Sequence, residues 1–196
     1  MIYRNQQSGF SLVETLVAIT ILLIVVVGPM TISTSTARST SFSSEQIQAF
    51  FIAQEGLELV QAYRNDELLA ELDTADPDPQ ESWEQFLLPT GDLQECFVSS
   101  SDGCGLEIDN DGVILEPIDC TFDSCRLYYN SAGERSRFTH TVTSEPLPFT
   151  RIVKIENIND DEVRVISTVS WRSGNLRESQ SIQVDTHLFN IYGADI

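Results

Sequence analysis

An apolar run opens at Phe10 and continues to Ile32, and Glu14 is the one charged residue inside it. As a helix, its 23 residues extend about 34 Å, enough to cross a hydrocarbon core of about 30 Å. A charge at the centre of a bilayer costs roughly 2.5–3.5 kcal/mol, so an acid kept in such a segment is a functional candidate. Glu14 lies one turn into the run, where the cost is smaller, yet the run offers it no counter-ion. The segment therefore predicts a membrane-spanning helix whose carboxylate finds a partner elsewhere. Gly28-Pro29 falls near its end. Proline removes one helical donor and predicts a kink, either to let packed helices adjust or where the helix leaves the membrane.

The run begins with Gly9-Phe10-Ser11-Leu12-Val13-Glu14, after a short polar stretch, Met1–Gly9, that holds Arg4 and no acid. This arrangement resembles the N-terminus of type IV pilins and type II secretion pseudopilins. The resemblance implies that 1–9 is a leader removed by a prepilin peptidase between Gly9 and Phe10. It also implies that Phe10 becomes the N-methylated terminus and that Glu14 pairs with the terminal amine of a neighbouring subunit during filament assembly. The residue types suit those roles. An ammonium on Phe10 and a carboxylate four residues on share one helix face. They can pair within one subunit or between two, and pairing between subunits removes two charges from lipid together. A buried pair of this kind sets register more than it stabilises. The implied partners are other pilin or pseudopilin subunits, the prepilin peptidase, the assembly platform and membrane lipid.

A second, shorter likeness lies further along. Phe51-Ile52-Ala53-Gln54-Glu55-Gly56-Leu57-Glu58 resembles the Ala-Gln-Glu-Gly helix segment of minor pilins related to pilus-tip and pseudopilus-tip subunits, and implies a minor rather than an abundant subunit. Two rival readings of the N-terminus remain. A conventional secretory signal would be cut after Ser35-Thr36-Ala37, but the run exceeds the usual apolar core of about 7–15 residues and contains Glu14. An uncleaved anchor would keep its methionine. The mature protein starts at Phe10, Arg38 or Met1 in the three cases. Arg4 on the short flank predicts a cytoplasmic N-terminus and an exported C-terminal bulk, on the cell surface after assembly.

Four cysteines, Cys96, Cys104, Cys120 and Cys125, lie in the exported part, where disulfides are the default. Three pairings are possible and the sequence does not choose among them. The two short loops, Cys96–Cys104 and Cys120–Cys125, are the expectation. His140 and His187 fit no zinc spacing. Asp109-Asn110-Asp111-Gly112 with Glu116 offers oxygen ligands for calcium at Asp109, Asp111 and Glu116, but not at EF-hand spacing. The plainer reading is a turn, with a hairpin between Leu106–Ile108 and Val113–Leu115. No cofactor is expected.

The formal net charge is −19, and Lys154 is the only lysine. A nucleic-acid surface would want a basic patch, so direct nucleic-acid binding is not expected. The acidity suggests a soluble, self-repelling exterior, but a composition set by habitat, with no bearing on mechanism, is the plainer reading. Segment Asp66–Glu84 holds eight acids and no base, with Asp76-Pro77-Asp78-Pro79 at its middle, and reads as a connection. Trp83, Phe86, Leu87 and Leu88 suggest a short amphipathic turn packed on the C-terminal head.

The Ser/Thr-rich stretch Ser33–Ser44 reads as linker in isolation and as a polar continuation of the helix in context. Glu45–Leu72 is helical, with Ile47, Phe50, Phe51, Leu57, Val60 and Tyr63 at three- and four-residue steps expected to form the buried stripe. Gly56 weakens that helix by about 1 kcal/mol and suggests a close contact. Phe149–Ile158, Val163–Trp171 and Glu178–Leu188 alternate like strands between short polar turns, and Arg126–Tyr129 suggests another. The expected fold is α+β: a long N-terminal helix over 10–72, its half 10–32 in the membrane, an acidic linker 73–92, and an antiparallel β head over 93–196 covering the helix stripe. No catalytic constellation is visible in the sequence, so no enzyme activity is expected. A head that acts as an adhesin through Tyr128, Tyr129 and Trp171, and an anchored exported protein with no filament role, are the alternatives.

Overall fold

The computed structural model describes residues 9, 11–88, 93–97, 102–109, 112–113, 117–120, 125–131, 136–142, 145–172 and 179–191. The chain divides into two units, Met1–Ser44 and Glu45–Ile196. One helix, α1, runs over Leu12–Leu72 through Pro29. The Ser/Thr-rich stretch therefore continues the helix instead of breaking it. Its hydroxyls are absorbed by the helix backbone: Thr34 Oγ1 donates to Thr31 O (2.9 Å), Thr40 Oγ1 to Thr36 O (2.9 Å) and Ser43 Oγ to Ser39 O (3.0 Å). Such back-bonding removes the competition with main-chain donors that makes these residues poor helix formers.

A short turn leads to α2, Pro79–Leu87, inside the segment read as an acidic connection. Asp78 caps it by accepting the Gln80 N–H at 3.0 Å, and Pro79 occupies its first turn, where a missing N–H costs nothing. The amphipathic turn expected around Trp83 is thus a two-turn helix. It docks through Trp83, whose indole Nε1–H donates to Asp160 O at 2.7 Å, and through the neighbouring ring of Phe86.

The rest of the second unit is a seven-stranded antiparallel sheet: β1 Cys104–Gly105, β2 Ile118–Asp119, β3 Arg126–Asn130, β4 Arg137–Thr139, β5 Glu145–Asn159, β6 Glu162–Trp171 and β7 Gln180–Phe189. The long β5 is its axis. It pairs with β6 along one edge, and with β1 and β3 along the other, and β7 extends the sheet beyond β6. The three strands expected near the C-terminus are present, β5 starting earlier than expected, and the polar turn Asn159–Asp161 joins β5 to β6. Val163, Val165, Ser167, Val169 and Trp171 are all buried on one face of β6. On β7 the corresponding residues Ile182, Val184 and Thr186 are half-buried and only Leu188 is buried, as an edge position predicts.

The buried stripe of α1 differs from the one its large apolar residues suggested. Ala49, Ile52, Ala53, Gly56, Leu57, Leu59 and Val60 are buried, whereas Ile47 and Phe51 are well exposed and Phe50 is 38% exposed. The reason is distance. A helix lies close over this sheet only where its side chains are small, and Gly56 marks the closest point. A Cβ there would stand 2.6 Å from Ser167 Oγ and 3.1 Å from Val153 Cγ2. The core that results joins Leu57 and Val60 to Val153, Ile155, Val163, Val165, Trp83 and Phe86.

Gly56→Ala is therefore expected to destabilise the head by about 1–3 kcal/mol, even though alanine is the better helix former by about 1 kcal/mol. Ser167→Ala in the same chain removes the clashing hydroxyl and should restore most of that loss. Urea unfolding of the detergent-solubilised protein, followed by tryptophan fluorescence, measures both; additive effects of the two substitutions would contradict the contact.

Candidate functional site

Between Leu12 and Ile32 the side chains of α1 are exposed, and the most apolar 18 residues have a mean hydropathy of 2.5 with none buried within the protein. An apolar surface of this length and continuity is satisfied only by lipid or by other apolar helices. Glu14 stands in the first turn of α1, where the exposed N–H ends of the helix favour a negative charge. It is exposed, and among the described residues it has no hydrogen-bond or ion-pair partner. The chain around it is already helical: Thr15 N–H donates to Ser11 O at 3.1 Å and Thr15 Oγ1 to Leu12 O at 2.9 Å. Gly9 is exposed just ahead of the helix. Phe10 lies outside the described residues.

Within the second unit, a polar cluster that the sequence did not reveal fastens α1 to the sheet. Arg151, on β5, is wholly buried. Its Nη1 donates to Glu55 Oε2 at 2.9 Å and to Ile52 O at 3.3 Å, and its Nη2 donates to Leu106 O at 2.6 Å. One guanidinium thus ties two turns of helix to the loop that follows β1. Burial raises the Glu55 carboxyl above its ordinary value and the Arg151 charge only partly offsets this. Beside the cluster, Glu107 accepts Thr139 Oγ1–H (2.6 Å) and the main-chain N–H of His140. His140 in turn donates Nδ1–H to Arg126 O (3.1 Å). Burial, and then the charge of Arg151, push the His140 imidazole below its usual value, against the opposing pull of the Arg126 carbonyl and Glu107. The only sequence hint was that Glu55 and Gly56 sit together in the Ala-Gln-Glu-Gly stretch. The first supplies the counter-ion and the second the close approach.

Both expected disulfides, Cys96–Cys104 and Cys120–Cys125, are formed. The first staples the 3-10 turn Gln94–Cys96 to β1, and the second closes the loop between β2 and β3. Of the calcium candidates, Asp111 and Glu116 lie outside the described residues. Asp109 is used in a turn, its Oδ1 accepting Val113 N–H at 2.9 Å while its own N–H donates to Val113 O at 2.9 Å. Among the described residues no group of three or more histidines, cysteines and acids is gathered to hold a metal ion. Of the aromatic candidates, Trp171 is buried, Tyr128 is half-buried and Tyr129 is exposed near Phe138.

Residues 4–28 match the family model for the prokaryotic N-terminal methylation motif. The match is confined to the N-terminal segment, which thus carries a motif like that of type IV pilin-like and pseudopilin-like prepilins, and the long apolar helix followed by an antiparallel sheet is a pilin-like α+β architecture. No curated protein and no solved structure matches the chain.

The buried cluster can be probed in two ways. Glu55→Ala leaves a guanidinium buried without its carboxylate and should cost about 3 kcal/mol, whereas Glu55→Leu combined with Arg151→Met should be near neutral, both read from urea unfolding. Because the folded protein holds His140 neutral below the ordinary imidazole value of 6.5, its contribution to stability is complete above that pH and is lost on acidification. Denaturation midpoints of the native protein should fall relative to those of His140→Gln as the pH is lowered below about 6.5; a constant difference would refute the assignment.

Proposed function

We propose that this chain is a minor subunit of a type IV pilus or of a type II secretion-like pseudopilus. The prepilin peptidase cuts between Gly9 and Phe10, Phe10 is N-methylated, and the subunit waits in the cytoplasmic membrane with its N-terminus inside and its head exported. Assembly then draws its helix out of lipid and into a bundle of like helices on an assembly platform. The carrying observation is the methylation motif at the head of an exposed apolar helix whose single acid, Glu14, has no partner among the described residues. Hydrophobicity separates lipid from helix poorly, since both are greasy, so helix association in this setting relies on close contacts and on polar pairs. The Glu14 carboxylate and the terminal ammonium of a neighbour form such a pair and fix the axial stagger between subunits.

The minor role is supported by the Glu55-Gly56 pair within its Ala-Gln-Glu-Gly context. The adhesin reading through Tyr128, Tyr129 and Trp171 loses support, because only Tyr129 of the three is exposed and no cluster of surface rings forms among them.

Glu14→Ala is expected to leave cleavage and methylation intact and to abolish incorporation into filaments. Mass spectrometry of purified surface filaments should find a peptide beginning with methylated Phe10 from the native protein and none from the variant. Normal incorporation of Glu14→Ala, or a mature chain that starts at Met1 or Arg38, would end this reading.

A further inference from the structure

The sheet has a second face, turned away from α1, and one end of it carries an unusual pairing of side chains. Arg126, Thr150 and Ser170 sit directly opposite one another on β3, β5 and β6. Residues in register share a face. Their odd-numbered neighbours Arg151, Val153 and Ser167 face the helix at Glu55 and Gly56, so this row lies on the other side. Arg172 follows β6 with the same parity as Ser170. Together with Ser179 and Trp171 these residues line a cleft of about 420 Å³, within the range of roughly 300–1,000 Å³ usual for small-molecule sites.

The electrostatics of the cleft run against those of the chain. The protein has 30 acidic residues against 11 basic ones. Arg151 pairs with Glu55, and Arg164 with Glu156 and Asp185. Arg126 and Arg172, by contrast, pair with no carboxylate among the described residues. Arg126 is steadied by donating Nε–H to Leu147 O at 3.0 Å, which leaves its two terminal nitrogens for another partner.

We propose that this cleft, formed by Arg126, Thr150, Ser170, Arg172 and Ser179 with Trp171 at its edge, binds an acidic sugar through its carboxylate and hydroxyl groups. A planar guanidinium matches a carboxylate in two-pronged fashion, and two of them flank the cleft. The three hydroxyl side chains each donate and accept, as the hydroxyls of a sugar ring require. A net charge of −19 repels ligands that carry many negative charges, so one carboxylate surrounded by neutral hydroxyls suits the site better than an acidic peptide or a sulfated polymer. The site is independent of the filament role of α1, and its failure would leave that role untouched.

The test is calorimetric titration of the full-length, detergent-solubilised protein with D-galacturonate as the probe, beside D-galactose, acetate and a synthetic peptide of residues 71–80. Galacturonate is expected to bind about tenfold or more tightly than either galactose or acetate, because only it supplies both halves of the recognition. Arg172→Gln, at an exposed position where folding is not at risk, should weaken galacturonate about tenfold. Arg164→Gln, whose side chain pairs elsewhere, should not change it. The proposal is overturned if galacturonate shows no saturable binding, if it binds no better than acetate, or if Arg172→Gln binds it as well as the native protein. Tighter binding of the acidic peptide would overturn it in favour of a contact between copies of the chain.

Discussion

The head is organised around the place where α1 comes closest to the sheet. Gly56 has no side chain to hold the two apart, and Ser167 and Val153 fill the space a Cβ would need. Beside it, Glu55 reaches down to a guanidinium rising from β5. The layers are thereby fixed in both spacing and register: sterics set the first, and a fork of directional hydrogen bonds sets the second. The arrangement carries a cost, since Arg151 is fully desolvated and Glu55 partly so. Its compensation is specificity, because a helix displaced by one turn would leave the guanidinium without Glu55 or the Ile52 carbonyl. Leu106 O and the Glu107 cluster extend the same polar seam into the loop after β1, beside the first disulfide.

The same helix meets two different solvents. From Ala49 to Val60 its small and medium side chains face a sheet. From Leu12 to Ile32 its large aliphatic side chains face no part of the chain. Backbone satisfaction is handled in kind. In the first unit the hydroxyls of Thr15, Thr31 and Thr34 fold back onto carbonyls of the preceding turn. Polar side chains can in this way be carried in an apolar setting without exposing an unpaired donor. Pro29 removes one donor near the end of the apolar stretch and the helix nonetheless continues.

Legibility in the sequence followed the range of the physics involved. The strands were readable because alternation and short polar turns are local, and so were the amphipathic segment around Trp83 and the turn at Asp109. Stripe positions Leu57, Val60 and Tyr63 were readable too, since Tyr63 packs against Phe86 and the core. Phe50, Phe51 and Ile47 were misplaced because periodicity counts apolar residues without knowing how close the partner layer lies, and here closeness favoured Ala49, Ala53 and Gly56. The cysteine pairing was expected from short loops but not fixed by them, because it depends on which turns the sheet brings together. Arg151 was invisible as a core residue. In a strand that alternates, a lone arginine reads as a surface position, and only its placement opposite Glu55, 96 residues away, makes burial tolerable.

What the amino-acid order determined alone was the N-terminal chemistry: a membrane-length apolar helix, one stranded carboxylate, and a glycine–phenylalanine junction ahead of it. Those properties depend on composition and on spacing along one helix, and no distant contact is needed to create them. The packed face of α1, the buried Glu55–Arg151 tie and the two-arginine cleft on the outer face were decided only by tertiary structure. Each joins residues far apart in the chain, and the burial that gives them meaning exists only once the sheet has formed.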